Sequence, residues 1–167
     1  MNHYLSIILR QLTLFLFFFT LAAFGQNRSD TNFVKKVAIG YFNAKEKILK
    51  LEMHLSAFGV ESDDAPNIDA TIDFATDSGK CHRSYYDPRY KSSTYYLDTT
   101  QIHHILSLLQ HTNLNKMQTD YTINRSDQPT STTIIYTNLQ TYKIRDYGLQ
   151  GNAPLQELYK IVYKLEY

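Results

Sequence analysis

The six histidines are the residues of this sequence that most directly suggest chemistry, because imidazole is the commonest side-chain ligand for transition metals. His103 and His104 are adjacent and would diverge around a helix, and His111 lies seven residues after His104. A helical zinc pair needs histidines at positions i and i+4. No such pair exists here, so we predict a solvated helix face and no metal site.

Aspartates form the second pattern with chemical potential. Asp69, Asp73 and Asp77 recur every four residues, and the loop at 61–64 adds three more carboxylates. Strand residues four apart are about 13 Å apart, whereas calcium needs about six to eight converging oxygens. The three aspartates therefore predict an exposed strand face, and only the loop remains as a weak calcium candidate.

Nucleophilic catalysis has no recognisable signature in the chain, since Gly-x-Ser-x-Gly, Ser-x-x-Lys and His-Glu-x-x-His are all absent. Cys81 is the single cysteine, which excludes an internal disulfide. Its basic neighbours Lys80, His82 and Arg83 would activate it if it were exposed. Because cysteine is among the most buried residue types, we expect an inert thiol on a strand. The sequence favours a non-enzyme, with a triad assembled from distant residues as the alternative.

The loop from Gly148 to Gly151 is a candidate anion site, because it joins a predicted strand to a predicted helix N-terminus with free backbone N–H groups. The alternative is that Gly148 and Gly151 serve only turn geometry.

Tyrosine is the most unusual feature of the composition, with 14 in the chain and no tryptophan. Strand alternation predicts that Tyr96 points outward while Tyr95 faces the core. Arg145 and Tyr147 are predicted to share the outward face of a later strand, beside Tyr96 if the two strands are neighbours. With the two loop glycines they form our candidate binding surface, since outward tyrosines supply rigid amphipathic contact area. The alternative is that tyrosine simply fills half-buried strand positions.

Alternating apolar and polar residues predict the elements that position these groups. Strands are expected at 47–57 and 67–76, and a third strand region spans 81–86, breaks at Asp87-Pro88 and resumes at 94–97. Asp98 and Gln101 then form a capping box, with Leu97 and Ile102 as a hydrophobic staple. The stripe of the helix that follows consists of Ile102, Ile105, Leu106 and Leu109.

Three shorter strands at 120–124, 132–137 and 141–147 lead to a final helix that begins near Pro154. The apolar stripe of this helix consists of Leu155, Leu158, Tyr159, Val162 and Leu165. Clean alternation leaves each strand one wet face, so we predict an α+β fold: a two-layer sandwich with an antiparallel sheet and both helices on one face. The single domain is expected over residues 47–167.

The N-terminus predicts export. Arg10 precedes an apolar run from Leu12 to Phe24, which is shorter than the roughly 20 residues of a membrane-spanning helix. Ala23 and Gly25 are the small residues that signal peptidase requires, so we expect residues 1–25 to be removed and the mature chain to begin at Gln26. An uncleaved anchor is the alternative. Residues 26–46 form a leader of uncertain structure, no transmembrane segment is expected after cleavage, and the protein is predicted to be secreted or periplasmic.

Charge excludes one class of partner. Removing residues 1–25 takes one of the 17 Lys and Arg residues, which leaves 16 against 16 Asp and Glu. Nucleic-acid binders carry a clustered basic excess, so no nucleic acid is expected as a partner. No motif indicates a cofactor.

The C-terminal stretch DQPTSTTIIYT…YKIRDYGLQGNAPLQELYKIVYKL resembles a family of small exported bacterial α+β domains of unknown function. In that family a strand ends in an Asp-Tyr-Gly turn, here Asp146 to Gly148, and runs into a final amphipathic helix. Many members carry a Gly-x-Cys-Pro turn after the first strand, where this chain has Phe58-Gly59-Val60-Glu61. The resemblance implies no activity. We therefore interpret the chain as a non-enzymatic binding domain for an envelope or extracellular protein, or for a glycan. The alternatives are a small periplasmic hydrolase and a structural envelope component.

Overall fold

The computed structural model describes residues 45–165. The predicted signal peptide and nearly all of the predicted leader lie outside these residues. From Glu46 onward the described residues form one compact unit.

The unit contains seven strands and two helical segments, so the α+β class is confirmed and strand dominates. The strands are β1 (Ile48–Ser56), β2 (Asn67–Asp73), β3 (Ser78–Ser84), β4 (Ser93–Tyr96), β5 (Asp120–Thr122), β6 (Thr130–Thr137) and β7 (Thr141–Tyr147). The helical segments are α1 (Thr99–Gln110) and α2 (Leu155–Leu158), and α2 continues as a π-helical turn over Tyr159–Tyr163. A 3₁₀ turn (Leu114–Lys116) follows α1.

All seven strands belong to one sheet in the order β4-β3-β2-β1-β6-β7-β5. Six of them pair in antiparallel fashion, but β5 runs parallel to β7. The prediction of a purely antiparallel sheet was therefore wrong at this edge. The chain reverses direction between β5 and β6. Both strands lie beside β7, one on each side, and only β6 is antiparallel to it.

The predicted alternation is confirmed for β2 and, from Leu51 onward, for β1; at the start of β1 a shift in register turns Leu49 outward and buries Ile48. Leu51, Met53 and Leu55 on β1 are buried, and so are the β2 residues that stand opposite them, Ile72, Ala70 and Ile68. Directly opposite residues share one face of a sheet, so these rows define its inner face. The inner faces of the strands and the apolar stripes of the helical segments belong to one core cluster.

The third strand region required correction. It is not one interrupted strand but two, because β3 and β4 form an antiparallel hairpin with Cys81 opposite Tyr95. Asp87-Pro88 lies in the connecting loop, because proline has no backbone N–H that could donate a hydrogen bond between strands. The preceding turn is also shifted, since Ser78 and Gly79 already belong to β3 and the turn lies at 74–77.

Helix α1 begins as the sequence predicts. The Gln101 backbone N–H donates to the Asp98 carboxylate over 2.8 Å, and the Gln101 side chain accepts from the Asp98 backbone N–H. This capping box satisfies two of the donors that a helix start leaves free. Ile102, Ile105 and Leu109 are buried and belong to the core cluster.

The final helix is buried more deeply than a surface helix, with five fully buried side chains: Leu155, Leu158, Tyr159, Val162 and Tyr163. The predicted stripe is confirmed at four of its five positions, and Leu165 is only partly buried. The segment differs from the prediction in its hydrogen bonding, since only one turn is α-helical before the π-helical turn. Tyr159 and Tyr163, four residues apart, lie one above the other with nearly parallel rings 5.5 Å apart.

Within residues 45–165, neither helical segment is long and apolar enough to cross a bilayer.

Candidate functional site

The loop between β3 and β4, from Tyr85 to Ser92, is built around Asp87. The Asp87 carboxylate accepts from the Arg89 backbone N–H over 2.8 Å and from Arg89 Nε over 2.7 Å. The Tyr90 backbone N–H donates to the Asp87 carbonyl over 3.1 Å. The guanidinium lowers the pKa of the Asp87 carboxyl through these hydrogen bonds. The loop is therefore an ordered turn stabilised by its own side chains.

Arg89 also joins this loop to the loop between β1 and β2. Its guanidinium donates to the Asp63 carboxylate over 2.8 Å. Both loops leave the same end of the sheet, because β1 and β3 run in the same direction. The β1–β2 loop carries Phe58, the most exposed of the large apolar side chains at 80 %.

Four aromatic side chains, three on these two loops and one on β4, project into solvent. Tyr86 is 64 % exposed, Tyr90 is 40 % exposed, and Tyr96, on edge strand β4, is 69 % exposed. The Tyr85 ring packs on the Tyr90 ring at 5.3 Å. We call Tyr86, Tyr90 and Tyr96 with Phe58 the aromatic surface. Such rings offer large amphipathic contact area at a small entropic cost, because they have only two rotatable side-chain bonds.

The structure does not bring the predicted site residues together. Tyr96 does point outward on β4, while Tyr95 points inward and donates its hydroxyl to the Val162 carbonyl. Arg145 and Tyr147 lie on β7, and four strands separate β7 from β4. Strand spacing alone then puts Tyr96 about 24 Å from the β7 pair, so the two groups form separate surfaces.

Arg145 and Tyr147 have local partners on their own side of the sheet. Arg145 pairs with Asp120 of the neighbouring β5 at 3.3 Å, and its guanidinium lies 5.8 Å from the centre of the Tyr147 ring. The Tyr147 hydroxyl accepts from the Gln128 backbone N–H at 3.4 Å. These contacts position the short parallel edge strand and the loop before β6.

The loop from Gly148 to Gly151 does hold an anion, but that anion is the buried carboxylate of Asp146. The carboxylate accepts from the backbone N–H of Gln150 and of Gly151, each over 2.7 Å, and from the Tyr159 hydroxyl over 2.8 Å. Asp146 is 1 % exposed. The N–H groups that we expected to face an external ligand are therefore already used.

Neither glycine in that loop leaves room for a Cβ atom. Gly148 has φ of +84°, and a Cβ there would meet the Ile123 side chain at 2.3 Å. A Cβ on Gly151 would meet the Leu155 side chain at 2.4 Å and the Asp146 carboxylate at 2.8 Å. The Asp-Tyr-Gly turn thus closes the strand onto the final helix, and its residues stabilise the fold.

The outer face of the sheet carries a polar row that crosses the strands. His54 on β1 stands opposite Asp69 on β2, and Asp69 stands opposite His82 on β3. His54 Nδ1 lies 2.7 Å from the Asp69 carboxylate, whereas His82 Nδ1 lies 3.2 Å from the Thr94 hydroxyl on β4. As the side chains lie, no three His, Cys, Asp or Glu groups among residues 45–165 are gathered as a metal ion requires.

The most strongly shifted titratable groups are buried or, in the case of Tyr95, partly buried. Burial raises the pKa of Cys81 to about 11. Burial also raises the pKa values of Tyr95, Tyr159 and Tyr163 well above the ordinary tyrosine range. Each of these groups is therefore held in its neutral, protonated form at physiological pH, and a neutral buried thiol or phenol is a poor nucleophile.

Sequence reasoning missed three members of the exposed loops: Phe58, Arg89 and Tyr90. Phe58 was treated only as the end of a strand, and Asp87-Pro88 only as a break. The signal that was available is the spacing of Asp87 and Arg89, because an Asp followed two residues later by a donor is typical of an ordered turn.

Comparison with known proteins gives one match. A family model described as a domain of unknown function (DUF6438) matches residues 64–166, which span β2 to the final helix and leave β1 outside. No curated protein and no protein of solved structure matches the chain.

Proposed function

This chain belongs to the DUF6438 family of domains of unknown function, and we propose that it is an exported, non-enzymatic binding domain that contacts its partner through the aromatic surface. One observation carries the proposal: large aromatic side chains are exposed on edge strand β4 and on loops that are already ordered. A pre-ordered surface loses little conformational entropy when it binds, so more of the contact energy remains as affinity.

The side-chain chemistry supports binding over catalysis. The strongly shifted groups, such as Cys81, are buried and neutral, and the loop N–H groups that would hold a reacting anion are bonded to Asp146. The exposed set combines tyrosines with Arg89, and these are the residue types that dominate the energetics of protein interfaces.

The proposed partner is another envelope or extracellular protein. Arg89 is 70 % exposed while bonded to Asp63 and Asp87, so the rim of the aromatic surface carries charges of both signs. Mixed charge around exposed aromatic residues matches the polar rim and apolar centre of protein interfaces. A glycan is the second ligand to be tested, because tyrosine rings also stack on sugars.

Two further features belong to this proposal. The first is the two-layer arrangement, with both helical segments on the inner face; it is supported by the common core of the helices and inward strand residues and by the exposure of His54 and Asp69 on the other face.

The second is export, which is supported by the apolar run from Leu12 to Phe24 and the small residues before Gln26. Intact mass of the protein isolated from its native envelope or medium should correspond to a chain that begins at Gln26. A mass that retains residues 1–25 would contradict export by cleavage.

The binding proposal is tested with matched surface variants. Tyr86→Ser and Tyr96→Ser remove exposed rings of the aromatic surface, and Leu139→Ser is the control. Leu139 is 58 % exposed but lies in the β6–β7 hairpin at the opposite end of the sheet. The wild type and each variant are immobilised and exposed to the proteins of the native envelope fraction and, separately, to a glycan array.

We expect each tyrosine variant to weaken binding by at least about 1 kcal/mol, or roughly fivefold, while Leu139→Ser leaves it unchanged. Thermal unfolding should shift little in all three proteins, because the three side chains are exposed. Equal binding by the wild type and the tyrosine variants would place the interface elsewhere. Binding only to glycans would replace the protein partner with a carbohydrate.

A further inference from the structure

We propose that His54, Asp69 and His82, the His-Asp-His row, form a surface binding site for a divalent transition-metal ion of the Zn²⁺ class. The site is independent of the aromatic surface and of the binding proposed above. It would be completed when the His82 ring turns from Thr94 towards Asp69.

The backbone already places the three groups correctly. They stand in direct register on β1, β2 and β3, which are neighbours in the sheet, and all three side chains project from its outer face. Neighbouring strands are about 4.8 Å apart, so an ion above Asp69 would lie about 5 Å laterally from each histidine backbone. An imidazole can span that distance, because the metal–nitrogen bond itself contributes about 2 Å.

Two members of the row are already joined. His54 Nδ1 and the Asp69 carboxylate are 2.7 Å apart, although both side chains are substantially exposed, at 47 % and 64 %. Metal binding would exchange this hydrogen bond for one bond from each group to the ion. Two imidazoles and one carboxylate form a ligand set that suits Zn²⁺, with water in the remaining positions.

His82 must make the largest movement, because its ring has to leave Thr94, whereas His54 and Asp69 need only separate enough to admit the ion. The His82 side chain is exposed, and its Nδ1 is hydrogen-bonded over 3.2 Å to the Thr94 hydroxyl on edge strand β4. Exposed side chains change rotamer within nanoseconds, and a long hydrogen bond to an exposed hydroxyl is readily replaced by water. The rotation therefore presents a small barrier. The three neighbouring strands meanwhile hold the spacing of the row fixed.

The surrounding charges set the expected strength. Lys80 lies two residues from His82 on the same face and repels a cation, whereas Glu52 lies two residues from His54 and attracts one. Glu52 is engaged by Lys50 at 2.8 Å. A single carboxylate ligand for a doubly charged ion predicts a site of moderate affinity that prefers metals bound by imidazole over Ca²⁺ and Mg²⁺.

The test is calorimetric titration of the purified, metal-free protein with Zn²⁺, and with Ca²⁺ as the comparison ion. We expect saturable binding of one Zn²⁺ per chain and none of Ca²⁺. His54→Ala, His82→Ala and Asp69→Asn should each weaken Zn²⁺ binding at least about tenfold, as the loss of a ligand or its close support does. The matched control is the double variant His103→Ala/His104→Ala, which removes two exposed histidines from α1 and should leave the affinity unchanged.

A structural readout accompanies the titration. In wild-type protein the ring resonances of His54 and His82 should shift together on adding Zn²⁺, and circular dichroism should confirm that every variant is folded. Absence of saturable Zn²⁺ binding would overturn the proposal. So would binding that survives all three row variants, or binding that is lost only in the α1 control.

Discussion

Replacing Asp146 by asparagine should destabilise the domain far more than a surface substitution, because this carboxylate ties the last strand to the final helix. One carboxylate oxygen accepts the Gln150 N–H, and the other accepts both the Gly151 N–H and the Tyr159 hydroxyl. Hydrogen bonds to a charged group contribute about 1.5–3 kcal/mol each.

The magnitude follows from which bonds asparagine can keep. With its carbonyl oxygen towards Gly151 and Tyr159, it keeps two bonds, but its NH₂ group then faces the Gln150 N–H. One charge-assisted bond is lost, and two donors are left face to face in a buried site. We expect a loss of about 2–4 kcal/mol from the free energy of unfolding for Asp146→Asn. That is a large part of the 5–15 kcal/mol typical of a domain.

The assay is urea unfolding at neutral pH, with Asp120→Asn as the matched control. Asp120 is also a carboxylate paired across strands, with Arg145, but both side chains are about half exposed, so its substitution should cost less than about 1 kcal/mol. Tyr159→Phe removes only one of the three bonds and should cost about 1.5–3 kcal/mol. If Asp146→Asn costs no more than Asp120→Asn, the carboxylate does not anchor the loop, and our account of the Asp-Tyr-Gly turn is wrong.

Three further predictions concern the core. Burial raises the pKa of Cys81 to about 11 from an ordinary 9.0, so the folded state keeps the thiol proton at pH values where the unfolded state loses it. The free energy of unfolding should therefore be unaffected by this group below about pH 9 and fall by up to about 1.4 kcal/mol per pH unit towards pH 11. Urea midpoints should show a shallower fall for Cys81→Ala than for the wild type. Leu158→Ala should cost about 2–5 kcal/mol in the same urea assay, because Leu158 is fully buried, and an unchanged midpoint would contradict its place in the core. Gly148→Ala should lower the melting temperature clearly more than Gly59→Ala: both have positive φ, but only at Gly148 does a Cβ collide with Ile123, so equal shifts would refute the steric argument.

Much of the secondary structure could be predicted because its signals are local. The alternation from Leu51 to Ser56, the capping box at Asp98 and the hairpin between β6 and β7 all depend on residues within a few positions of one another. The candidate site could be predicted less well. Alternation relative to the neighbouring Leu97 correctly predicts that the Tyr96 side chain points outward. Its distance from Tyr147 depends on the order of the strands in the sheet, and the periodicity of a sequence gives no information about that order.

The sequence by itself determined which residues face the core and which face water, since side-chain direction repeats every two residues in a strand and every 3.6 in a helix. Only the tertiary structure decided which strands are neighbours. That choice made β5 parallel to β7, put Tyr96 and Tyr147 near opposite edges of the sheet and lined up His54, Asp69 and His82. It also completed the role of Asp146, because Gln150 and Gly151 lie in the same local turn, whereas Tyr159, 13 residues further along the chain, reaches the carboxylate only when the final helix packs into the core. Such pairings are chosen by the free energy of the whole core, and no short segment carries that information.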